Sequence, residues 1–344
     1  MPLTVKSING DSAFLLTFSP PTAPLSSLPR FPGSFTILID PWLVGPATIL
    51  SSIFSISEQT TKPCISSLEH LEHEPDVILI SQDKPDHCHE QTLRQLSPGC
   101  ASKILAIPSA ARKIRSWKHF RSDMVQSLPR YAEGQSESVH RIVVPPTSPV
   151  GTCGEVTLTW MPAKRDVSAL HHAIGITYRP PGNESFLSPP NSPMSFKTAS
   201  CSPGTSFSNN RESTLSVIYS PHGVSYGIIR PYAATHLVTE AALPLTALIH
   251  SFDCVENPWY LGGNISAGLP GGIIIAKNLY ARSWIGAHDA HKKTSGLSVK
   301  RTKIGRYADH EVKKMLSTED KDNSKDAVST NLIALEAGEE HRIR

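Results

Sequence analysis

The sequence predicts an α/β chain of the α+β kind, built on mixed sheets rather than a doubly wound one. Short, continuous apolar runs rich in β-branched residues recur along it, as buried strands do. Only two helical stretches interrupt the first strands, and the regular strand–helix–strand rhythm of a parallel sheet is missing. Several of the runs end abruptly in Asp or His, which places polar chemistry at strand ends.

With 344 residues, 39% apolar and 18% charged, the chain has a globular composition, and its 29 prolines imply long irregular segments. A net charge of +3 is too mild to argue for nucleic acid. No apolar run is long enough to span a membrane, and the N-terminus lacks the basic and apolar regions of a secretory signal. Six cysteines (64, 88, 100, 153, 201, 254) follow no CxxC spacing. Reduced thiols in an intracellular, cytoplasmic protein are therefore expected.

The first predicted strand is Ala13–Phe18. A Pro/Ser-rich turn leads to the second, Phe35–Ile39, closed by Asp40-Pro41-Trp42. Asp40, at the end of a buried strand, is expected to accept hydrogen bonds from loop amides. Val77–Ile80 is a third strand, and Pro85, lacking an N–H, ends regular pairing beyond it. Just past that end stand Asp86, His87, Cys88 and His89. Carboxylate, imidazole and thiol together are a ligand set for a divalent metal; a polar loop leading into a helix at Glu90–Leu96 is the alternative. Cys88 is expected to pack inward and His89 to lie exposed at the helix start.

Lys103–Ile107 reads as a strand, and Ser109 as the N-cap of a helix over Ala110–Phe120 with a solvated basic face. Strands follow at Val139–Val144, Glu155–Met161 and His172–Tyr178. Residues 180–213, dense in Ser, Pro and Asn, read as a disordered insertion. Leu215–Tyr219 resumes as a strand running into Ser220-Pro221-His222-Gly223. Ala247–His250 is a further strand. The glycines between 262 and 272 fit turns better than a phosphate loop, because no GKS/T or GxGxxG is present. A helix at Ile273–Leu279 and a strand at Arg282–Ala287, ending in His288-Asp289, complete a domain over residues 1–316. Residues 317–344, with seven acidic and four basic side chains, read as a disordered charged tail.

The motifs FTILIDPW (35–42), VILISQDKPDH (77–87), WMPA (160–163), VIYSPHG (217–223) and WIGAHD (284–289) resemble successive landmarks of the metallo-β-lactamase superfamily. The resemblance spans roughly residues 5–305, outside the insertion and the tail. It implies an αββα four-layer sandwich, two mixed sheets face to face with helices outside and metal at one edge. It also exposes departures. The family signature HxHxDH falls on Gln82, Lys84, Asp86 and His87, so both leading histidines are absent. Lys164 and Arg165 stand where the next ligand histidine is expected, and His222 replaces the bridging aspartate.

The resemblance thus implies an empty first metal position and a second one formed by Asp86, His87, His222 and His288. That set suits a single divalent ion, zinc first and iron or manganese next, or none. Asp86 and His87 then carry the chemistry, with Lys84 and Arg165 expected to supply positive charge at the vacated position. His172 is the reserve ligand; His171 and His250 are read as structural. Two functions follow from the same residues. One is a hydrolase of a small anionic ester, lactone or phosphodiester, with no nucleic-acid or membrane partner. The other is a non-catalytic binding or scaffold protein that keeps the fold and has lost metal-dependent catalysis.

Overall fold

The computed structural model describes residues 1–24, 31–49, 51–166, 168–182, 214–261, 263–307, 311–312 and 330–344. Among these, two seven-stranded sheets stack face to face. In spatial order the first contains Glu340–Ile343, Leu3–Ser7, Phe14–Phe18, Phe35–Ile39, Val77–Ile80, Lys103–Ala106 and Val125–Ser127. The second contains Asn331–Ile333, Ser283–Gly286, Ala247–His250, Leu215–Ser220, His172–Arg179, Gly154–Pro162 and His140–Val144. Each is mixed. Pairing is antiparallel from 340–343 through 35–39 and parallel from there to 125–127. The second sheet divides too, parallel from 331–333 through 215–220 and antiparallel from there to 140–144.

Strand composition explains the layers. In Phe35–Ile39, Ile37 and Ile39 point into the seam between the sheets, while Leu38 points out beneath a helix. Val77 and Leu79 face the seam, and Ile78 and Ile80 face outward. Both faces are apolar because both are covered, so these strands read as unbroken apolar runs. The helix Pro108–Ser116 covers the first sheet through Ala110, Ala111 and Ile114. The helices Tyr226–Tyr232 and Gly268–Asn278 cover the second, through residues that include Ile229, Tyr232, Leu269 and Ile275. Gly272 lets the latter approach closely, since a Cβ there would lie 2.2 Å from the Trp284 ring. The result is the predicted αββα sandwich.

Three expectations need correction. Residues 331–333 and 340–343 are not tail but the outer strands of the two sheets, with Ile333 and Ile343 buried; residues 317–329 lie outside the described residues. The helix after Lys103–Ala106 starts at Pro108, with Ile107 as N-cap and no side-chain cap, because proline at the first helical position already has the helical φ. Cys153 is disulfide-bonded, so the six thiols are not all reduced. The expected insertion falls mostly on 183–213, outside the described residues; Gly182 just before them bridges to Thr152. No helix among the described residues is long and apolar enough to cross a membrane.

Candidate metal centre

The polar residues of interest leave the C-terminal ends of parallel strands at one edge of the sandwich, where rigid strands fix side chains carried on loops. Asp40 follows 35–39, Asp86 and His87 follow 77–80, His222 follows 215–220 and His288 follows 283–286. Asp40 (φ 44°) and His288 (φ 66°) both adopt the left-handed region, which a residue with a Cβ rarely occupies. The His288 N–H is held there by the Asp11 carbonyl at 3.0 Å.

His87, His222 and His288 each offer a ring nitrogen within 4.8 Å of the others. His87 Nε2 and His222 Nε2 are 3.2 Å apart. Two ligands of a tetrahedral ion at about 2.05 Å would be separated by about 3.3 Å. The opposite ring nitrogens are occupied. His87 Nδ1 meets Asp40 Oδ2 at 2.8 Å, and His222 Nδ1 donates to the Ile265 carbonyl at 3.0 Å. These outer partners turn both Nε2 atoms inward, the arrangement that orients imidazoles around a metal. Asp86 completes the set. Its Oδ2 is 3.2 Å from His288 Nε2 and 4.0 Å from His87 Nε2. Its Oδ1 is buried with no hydrogen-bond partner among the described residues.

Protonation suits the same reading. Burial, and then the His288 and His87 rings, push His222 well below its ordinary value, so its Nε2 keeps a lone pair. Burial alone would raise Asp86, but His87, His288 and Lys292 outweigh it and hold the carboxyl well below its usual range. Burial opposes charge on His87 too, yet Asp86 and Asp40 raise it. A proton on His87 donated to the bare His222 nitrogen occupies the line along which both would grip a cation. The residues present therefore fit a divalent metal ion.

Asp40 accepts from a loop amide, as expected, and holds a ligand ring as well. Its carboxylate accepts from the Ser81 amide at 2.7 Å, the Ser81 hydroxyl and the Tyr219 hydroxyl at 2.8 Å, besides holding His87. Lys84 and Arg165 are not where expected. The amides of His87 and Cys88 both donate to the Lys84 carbonyl, and that turn leaves its side chain beside Asp83 at 3.3 Å. Arg165 is exposed on a left-handed turn (φ 60°). The ammonium at the cluster belongs instead to Lys292, which sequence reasoning missed, as it missed Asp11 beside it.

Cys88 packs inward as expected. His89 is buried rather than exposed, because its Nδ1 accepts from the Thr92 amide and caps the short helix Glu90–Leu93. His172 stays outside the imidazole group; its Nε2 is buried without a partner among the described residues. His171 pairs with Asp166 at 3.1 Å, and His250 Nδ1 lies 2.8 Å from the Ser251 carbonyl.

Residues 30–166 match the family model of a beta-lactamase superfamily domain. The fold is that of the metallo-β-lactamase superfamily. The matched segment holds Asp40, Asp86 and His87; His222 and His288 lie beyond it. No curated protein matches the sequence significantly. Similar solved structures include a metallo hydrolase from the hyperthermophilic archaeon Ignicoccus hospitalis, 13% identical with a TM-score of 0.46, covering 100% of this chain and 99% of that one. Another is an isothiocyanate hydrolase from Delia radicum gut bacteria, 14% identical at 0.49, covering 99% and 98%. A third is the metallo-β-lactamase fold protein YhfI from Bacillus subtilis, 12% identical at 0.47, covering 99% of each chain. This metallo-β-lactamase fold brings Asp86, His87, His222 and His288 to one edge, while Gln82, the first position of the signature, turns its amide to the Leu170 carbonyl at 3.0 Å.

Proposed function

We propose that the chain is a hydrolase using one divalent metal ion, held by His87, His222 and His288 with Asp86 as the carboxylate donor. The observation that carries this reading is the convergence of three imidazole nitrogens within 4.8 Å beside a carboxylate oxygen that is buried and unpartnered. Zinc suits the nitrogen-rich set best; iron and manganese remain competent. When bound, such an ion lowers the pKa of water and polarises a carbonyl or phosphoryl oxygen.

The chain's own residues do the rest. Asp40 fixes the His87 ring and Ile265 fixes the His222 ring, so both nitrogens are aimed before any ligand arrives. Asp86 Oδ2 lies 3.2 Å from His288 Nε2, so the carboxylate and the ring stand side by side before any ligand arrives. A small ester, lactone or phosphodiester is the substrate class, and the Lys292 ammonium favours one carrying negative charge.

Metal analysis of the purified full chain after reconstitution with Zn²⁺, Fe²⁺ or Mn²⁺ tests this. One ion per chain is expected, lost in His288→Ala, together with turnover of a lactone or phosphodiester panel. Stoichiometry near zero with every metal sinks it. One observation favours a second reading, a non-catalytic binding or scaffold protein: Gln82, Lys84 and the Lys164-Arg165 pair stand where the family's other ligands are expected. Metal that raises the melting temperature without turnover of any panel member would select that reading.

A further inference from the structure

Lys292 opens the short strand Lys292–Ser295, whose antiparallel pairing with Ser55–Gln59 fixes where its side chain begins. Its Nζ lies 2.7 Å from Asp11 Oδ2 and 3.2 and 3.5 Å from the two ring nitrogens of His288. The Trp42 ring covers it at 5.9 Å. The side chain is 11% exposed and that of Asp11 1%. An ammonium this enclosed, touching a ring that would meet a dication, is not a solvated surface charge.

We propose that Lys292 is the second cation of this centre: its ammonium supplies the positive charge a further metal ion would bring, so the cluster accepts one divalent ion and repels another. This rests on the metal-centre reading above. Formal charge supports it. Among the described residues, Lys292 is the fixed cation that acts on Asp11, Asp86, His87 and His222, while Asp40 backs the His87 ring; three carboxylates against one ammonium leave the charge of a single divalent ion to be matched. Another ion would leave an excess of positive charge where little water screens it. Asp11 tunes the same balance, since it holds Lys292 while its carbonyl accepts from the His288 amide. A purely structural tie between these loops predicts no effect of either charge on metal affinity.

The test is Zn²⁺ titration against a competing chromophoric chelator, on the full chain and three variants. Wild type is expected to bind one ion. Lys292→Met should bind it roughly tenfold more tightly or better, and Asp11→Asn roughly tenfold more weakly, because each changes one charge beside the ion. The double variant restores the balance and should lie within about threefold of wild type. Two ions in wild type, or a Lys292→Met affinity equal to or below wild type, overturns the inference. Should Lys292→Met fail to fold, Asp11→Asn decides, and an unchanged affinity there overturns it. Absence of binding in wild type would instead overturn the metal-centre reading itself, and this inference with it.

Discussion

Asp40 has no exposed surface, and its carboxylate serves the Ser81 amide and hydroxyl, the Tyr219 hydroxyl and the His87 ring. Removing its charge while keeping its size leaves buried donors poorly matched. Asp40→Asn is therefore expected to cost about 1–3 kcal/mol of stability. It should also weaken metal binding by roughly 10- to 100-fold, since the His87 ring loses the partner that orients it. Urea unfolding and chelator competition measure the two effects separately, and an unchanged metal affinity would refute the orienting role. The sequence made part of this legible. Asp40, Asp86, His87, His222 and His288 each follow a β-rich run, so their place at strand ends could be read directly. Lys292 and Asp11 could not, because each lies in a polar stretch with no pattern of its own and its partner is over 270 positions away. Lys84 and Arg165 misled for a related reason: motif position fixes the backbone address, whereas the local turn decides where a long side chain goes.

At the scale of elements, strands buried on both faces were read almost to the residue, as Phe35–Ile39, Val77–Ile80 and Ala247–His250 show. Two of the outer strands were not. Asn331–Ile333 and Glu340–Ile343 are short, and most of their side chains are polar or partly exposed, the usual protection of a sheet edge. Their composition resembles a tail because only Ile333 and Ile343 enter the core. A chain ending at Thr330 should lose about 3–6 kcal/mol, from two isoleucine burials of about 1.5–3 kcal/mol each. It should also aggregate, since Leu3–Ser7 and Ser283–Gly286 would become open edges. Thermal melting with light scattering checks both, and a truncated chain that melts like the full one would contradict the assignment.

Across the whole molecule, burial forces several histidines to stay neutral. His172, His236 and His250 are each pushed down to about 4 by desolvation. A histidine whose folded value is depressed gives its full stability above the unfolded value of about 6.5 and loses it as pH falls toward the folded value. Stability should therefore decline between pH 6.5 and 4, with His236 alone contributing up to about 3 kcal/mol. Because His236 Nε2 lies 3.0 Å from Thr157 Oγ1, His236→Gln can keep a hydrogen bond while removing the titration. Its melting temperature should fall less steeply over that window than that of wild type. Equal slopes would show that the protonation penalty lies elsewhere.

The placement of residues 331–343 also dictates when the molecule can be finished during synthesis. Neither layer receives this outer ribbon until these residues have left the ribosome, and Leu3–Ser7 must wait for a partner more than 330 positions downstream. A nascent chain arrested just short of them should remain protease-sensitive around Leu3–Ser7, and emergence of residues 331–343 should switch that sensitivity off.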